Sequence, residues 1–164
     1  MTELPLTLAR ELPADDDLVE RLHQRTFGPG RFARTASRIR EQARHDLDLS
    51  FTARLGTMLV GSVRLTRVRV GETPALLLGP LTVEPPFRAV GIGGRLVRAA
   101  LEASRQAGHR LVFLVGDAPY YGRFGFRPVA PGTVRLPGPV DPARLLVAEL
   151  EPGAFTGVGG LMGG

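Results

Sequence analysis

Apolar residues recur along this chain at two periods, and the switches between them mark its elements. PLTLARE, near the start, reads as a short strand. LPADDDLVERLHQRTF opens with Pro13 and a run of acids, then sets Leu18, Leu22 and Phe27 in a stripe, which predicts a helix. FGPGR breaks that helix, and RFARTASRIREQARH predicts a second, with Phe32, Ala36, Ile39 and Ala43 at helical spacing. The period falls to two in LSFTARLGTMLVGSVRLTRVRVGE, as in an antiparallel hairpin turning at Leu55-Gly56-Thr57. After a break over Gly71 to Pro74, PALLLGPLTV is apolar almost throughout, as a central strand covered on both faces would be.

The helical period returns with Ile92, Leu96, Val97, Ala100, Leu101, Ser104 and Ala107, and Gly108 ends that helix. HRLVFLVG is the next buried strand, which completes a strand–helix–strand unit expected to be right-handed. PYYGRF predicts a short helix, FRPV a short strand, APGTVRLPGPVDPA a long loop and RLLVAEL a final strand. The glycine-rich tail over 153–164 offers little to pack and is expected to be mobile at its end. The whole pattern predicts one domain over 1–164, of α/β (α+β) class.

Composition changes this picture in few places. Cysteine is absent, which excludes disulfides, thiolate metal sites and cysteine nucleophiles. His23, His45 and His109 are scattered without metal-ligand spacing, so no metal is expected. No apolar run approaches a membrane span, and the N-terminus lacks a signal-peptide core; the expected setting is the bacterial cytoplasm, away from membranes. The net charge is +5, and every basic residue is arginine. Arginine's planar fork suits phosphates, but acids are interspersed along the chain, so nucleic acid is not an expected partner. The densest group, Arg31, Arg34, Arg38, Arg40 and Arg44, reads as a solvated helix face.

The candidate chemistry lies in RAVGIGGRLV, between the apolar strand and its helix. A Walker loop needs Gly-Lys-Ser/Thr, and this chain has no lysine. A dinucleotide fingerprint needs a third small residue where Leu96 stands. What remains is a turn whose glycines, Gly91, Gly93 and Gly94, let backbone N–H groups face one centre at the positive end of a helix. Such a centre favours a diphosphate, to which Arg88 could add a contact or merely cap the loop.

The frame Arg88-x-x-Gly91-x-Gly93 resembles the acetyl-CoA pyrophosphate loop of the GCN5-related N-acetyltransferases, the GNAT superfamily. LGPLTVEPPFRAVGIGGRLV is similar to that family's fourth strand, loop and third helix, and YYGRFGF to its second signature. The likeness is nearest to small bacterial members of the YhbS type. It implies a mixed, mostly antiparallel twisted sheet of six to seven strands with four helices, its fourth and fifth strands splayed apart. It implies acetyl-CoA as co-substrate, held by Leu81, Thr82 and Val83 along the strand and by Arg88, Ala89, Val90, Gly91, Ile92, Gly93 and Gly94 in the loop. Gly79-Pro80 would form the bulge that opens the gap.

By the same resemblance, Tyr121 protonates the departing thiolate, while Tyr120 would point elsewhere on the short helix. The implied reaction is direct attack of a primary amine, of a small molecule or a peptide, in a ternary complex. The general base is open: Asp117 (which could equally cap the short helix), Glu84, Glu72 and His23 are the candidates, and an amine of low pKa would need none. The loops over 27–32 and 131–142 would face the acceptor. The alternative is a non-catalytic acyl-CoA-binding module. A homodimer is common in the family.

Overall fold

The alternating runs become the long strands of the molecule, shown here by a computed structural model that describes residues 5–27, 39 and 44–163. In chain order its main elements are β1 (Leu6–Arg10), α1 (Asp16–Phe27), β2 (Phe51–Leu55), β3 (Met58–Val70), β4 (Thr73–Val83) and α2 (Ile92–Gln106). Then come β5 (Leu111–Val115), α3 (Ala118–Tyr121), β6 (Arg127–Pro128), β7 (Val134–Arg135), β8 (Leu145–Glu149) and β9 (Gly160–Gly163). The sheet runs β1-β2-β3-β4-β5-β8-β6, with β9 joining β3 to β7. Its pairs are antiparallel except β4–β5 and β7–β9. This is the expected mixed, splayed sheet, with nine strands rather than six or seven because several pairings are only two residues long.

Three expectations need correction or a boundary. There are three α-helices among the described residues instead of four; most of the second expected helix, and the arginine face on it, lie outside those residues. On α1 the buried positions are Val19, Leu22 and His23, and Leu18 is exposed. The tail does pack: β9 pairs with Arg69 and Val70 at the end of β3, and Met162 is buried in the core. With thirteen residues, β3 outruns β2 and leaves that edge free for a late strand.

The decisive feature is where β4 loses a neighbour. It pairs with β3 as far as Val83, but with β5 only at Leu76 and Leu77. Beyond Leu77 the β5 side of the strand is open. The β3 register also jumps there, from Leu65↔Leu78 to Val63↔Leu81, so Gly79 and Pro80 face the single residue Arg64. That is the bulge implied by the resemblance, and Pro80, having no N–H, could not have served the ladder.

The sheet has two unlike faces. On one, Ile92, Leu96, Val97 and Ala100 of α2 pack against Val63, Leu65, Leu76 and Leu78. On the other, α1 lies over β3, whose inward positions there include Ser62, Arg64 and Thr66, all buried.

Candidate active site

The open stretch of β4 leads through a 3-10 turn (Pro85–Val90) and Gly91 into α2. Gly91 adopts φ 81° and ψ 11°, a left-handed conformation that costs other residues roughly 1–2 kcal/mol. As the N-cap it brings no capping side chain, and a Cβ there would meet nothing within 4 Å. The first bond of α2 runs from Arg95 N–H to the Gly91 carbonyl at 3.2 Å. The N–H groups of Ile92, Gly93 and Gly94 therefore have no acceptor within the helix, and the positive end of the helix dipole lies behind them. This is a cradle fit for a diphosphate. Arg88, an exposed residue, makes the capping contact that the sequence allowed: its Nε donates to the Val83 carbonyl at 3.2 Å, tying the turn to the last residue of β4.

Gly93 lies where strand, helix and tyrosines meet. A Cβ there would come 2.8 Å from the Tyr120 hydroxyl, 3.7 Å from Val83 and 3.8 Å from Leu81. Tyr120, expected to point away, thus reaches the mouth of the glycine loop. The sequence could not show this, because the direction of a ring on so short a helix depends on what packs beneath it. Beneath it is Tyr121, edge-on with ring centroids 4.9 Å apart. Tyr121 in turn packs on Phe126 and against Gly116, where a Cβ would lie 2.6 Å from its Cε2. Burial, with smaller contributions from Tyr120 and Asp117 and an opposing one from Arg144, pushes the Tyr121 phenol up to about 12. It is a phenol that stays protonated.

The base candidates divide clearly. Asp117 caps α3, accepting from Tyr120 N–H at 3.2 Å. Glu84 is held by Arg25 of α1, whose Nε donates at 3.1 Å. Glu72 sits in the β3–β4 turn, at the opposite end of β4 from the loop. His23 is buried on α1, its Nδ1 3.8 Å from Glu20 Oε1.

A charged cluster that the sequence reading missed lies opposite the bulge. Arg64, 6% exposed, donates from Nε and Nη2 to the two oxygens of Glu11, each at 3.0 Å. It also donates to Asp16 at 3.0 Å and to Glu20 at 2.7 Å. His45 Nε2 lies 2.7 Å from Glu11. Burial alone would raise the Glu11 pKa, but the bonds from His45 and Arg64 prevail and hold it below the usual carboxylate value. Glu11, Asp16 and His45 bring ligand atoms within 4.8 Å of one another, which the scattered histidines did not suggest. Arg64 already supplies the cation between those two carboxylates. Strand parity carried the missing signal: Arg64 shares a face with Val68 and Val70, whereas Arg67 and Arg69 are on the other.

The model of the acetyltransferase (GNAT) family matches residues 17–126, from the start of α1 through YYGRFGF. The chain belongs to the GNAT family of N-acetyltransferases. It is 35% identical over 130 residues to the uncharacterised N-acetyltransferase YjhQ of Escherichia coli K12, covering 77% of this chain and 71% of that one. It is 29% identical over 154 residues to the uncharacterised N-acetyltransferase YhbS of the same strain, covering 93% and 92%. The crystal structure of Escherichia coli YhbS in complex with CoA superposes with a TM-score of 0.84 at 27% identity, over 99% of this chain and 91% of that one. A GNAT acetyltransferase from Brucella melitensis in complex with acetyl-CoA gives 0.61, also at 27% identity, over 87% and 94%. No helix among the described residues is long and apolar enough to cross a membrane.

Proposed function

We propose that this GNAT member transfers the acetyl group of acetyl-CoA to a primary amine by direct attack in a ternary complex. The observation that carries the reading is the open edge of β4 running straight into an uncapped helix N-terminus. One end of that groove offers unpaired strand groups to a pantetheine arm, and the other offers N–H groups to its diphosphate. The amine nitrogen forms a bond to the thioester carbonyl carbon, and the C–S bond breaks. The thiolate takes a proton from Tyr121, solvent returns a proton to the phenol, and the amine nitrogen gives up its own protons. Two features support Tyr121 as donor: it stays protonated, and it packs beside Gly116 just past the end of β5. Tyr120, with its hydroxyl at Gly93, lines the cofactor's path.

Calorimetry of acetyl-CoA binding to the natural chain and to Gly91→Glu tests the loop. Binding should be lost, by a hundredfold or more, when a carboxylate faces the diphosphate. Equal affinity would move the site elsewhere. Thiol release over a panel of amines then tests transfer, with Tyr121→Phe expected to lower turnover at least tenfold at unchanged acetyl-CoA affinity.

A further inference from the structure

β4 carries no carboxylate, and the acids of the sequence reading are capping, ion-paired or remote, so the amine's proton must leave another way. The α1 face of the sheet shows where. Two contacts fix how α1 lies across β3 and β4: Glu20 with Arg64 towards its start, and Arg25 with Glu84 towards its end. Between Arg64 and Glu84 on the sheet stand Ser62 and Thr82, which are cross-strand partners. Between Glu20 and Arg25 on the helix, the buried polar residue is His23. These anchors, with Asp16 on Arg64, lay α1 against β3 and β4 on the side of the sheet that carries the two hydroxyls, and His23 lies on the buried side of the helix between them.

Those hydroxyls are out of place for a structural core. Ser62 is 0% exposed and Thr82 1%, and neither Ser62 Oγ nor Thr82 Oγ1 has a hydrogen-bond partner among the described residues. An unmet buried hydroxyl is costly, so a cross-strand pair of them calls for a ligand that bonds both. Water is the ligand that fits: it needs several polar partners, and hydroxyls can both donate and accept.

We infer that Ser62, Thr82 and His23 form a buried proton path which takes a proton from the acceptor ammonium and delivers it to Glu20 at the surface. The inference rests on the amine-acetylation reading above. The ammonium loses one proton through water held by the two hydroxyls to the imidazole, and Glu20 or solvent removes it from there. The freed lone pair then attacks the thioester. The second amine proton leaves after the C–N bond forms and offsets the one that Tyr121 gives the thiolate and regains, so one proton in all is released for each thiol formed. Among the described residues, the charged groups near His23 suit this direction. Glu20 faces it from its own helix, Arg64 of β3 orients Glu20, and Arg25 neutralises Glu84 of β4. The path takes a cation's proton, so its substrate class is an amine that is protonated at neutral pH.

The test compares the natural chain with His23→Gln and Thr82→Val, using an amine that the natural chain acetylates. kcat/KM is followed by thiol release from pH 6 to 9.5, with acetyl-CoA affinity and melting temperature measured on each protein. For His23→Gln the expected result is at least a tenfold loss at pH 7 that narrows towards pH 9.5, where bulk solvent supplies the neutral amine, at unchanged acetyl-CoA affinity. A His23→Gln profile parallel to the natural one overturns the inference. Thr82→Val keeps the shape and guards against a His23 variant that fails to fold. A several-fold rate loss without gain in melting temperature supports the path. A higher melting temperature with full activity shows that the hydroxyl held nothing, and overturns it. If the natural chain acetylates no amine in the panel, the amine-acetylation reading falls first, and the inference with it.

Discussion

The two faces of the sheet are built from adjacent residues of the same strands, yet they follow opposite rules. Towards α2, Val63, Leu65, Leu76 and Leu78 meet Ile92, Leu96 and Ala100 in an apolar layer. Towards α1, a one-residue step along β3 reaches Ser62, Arg64 and Thr66, buried as deeply but polar. Hydrophobic burial on the first face contributes in proportion to area and asks nothing of orientation. Charge burial on the second is tolerated only because Arg64 has three carboxylate partners in good geometry. Both faces reach the gap in β4: Leu81 and Val83 point to Gly93 on the first, and Ser62 and Thr82 stand on the second.

The largest effect should come from breaking the polar face at its most buried point. Glu11→Gln removes the bidentate partner of a buried guanidinium and should cost about 3–5 kcal/mol in a denaturant titration. It should also flatten the acid limb of stability. Because the folded protein holds the Glu11 pKa below its ordinary value, its contribution is full above about pH 4.5 and is lost as pH falls through the lowered value. An acid limb as steep as that of the natural protein would place that sensitivity elsewhere.

A somewhat smaller effect belongs to the apolar face. Leu96→Ala, at a fully buried position, should cost about 3 kcal/mol. Unlike the Glu11 variant, it should do so equally at pH 4 and pH 8, which is the sharpest way to separate the two faces. The smallest effect is a null one, at the tyrosine pair beside the gap. With the Tyr121 phenol pushed up to about 12, turnover should show no loss between pH 8 and 10 from ionisation of the donor. A fall centred near pH 10 would count against Tyr121 as the donor.

Much of the fold was legible because local periodicity reports it directly. The alternating run gave β2 and β3, the unbroken apolar run gave β4, and the mixed stripe with Gly108 behind it gave α2. The glycine frame at 91 to 94 was legible for a related reason: a left-handed turn before a helix demands glycine whatever surrounds it. Tyr120 was not legible, since the position of its hydroxyl at Gly93 depends on the edge-on contact of Tyr120 with Tyr121 and on the packing of Tyr121 against Gly116. The tail was misread because glycine-rich composition speaks against packing, whereas a free edge at the end of β3 offers pairing to any backbone.

By itself, then, the sequence determined the order of elements and the mouth of α2, both set by neighbours within a few residues. Only the tertiary structure decided which charges are interior. Glu11 and Arg64 look like surface residues one at a time, and they come together from separate parts of the chain. A charge can be buried only when its partner arrives with it, and that partner is chosen by the packing of distant segments, a long-range contact that no local pattern encodes.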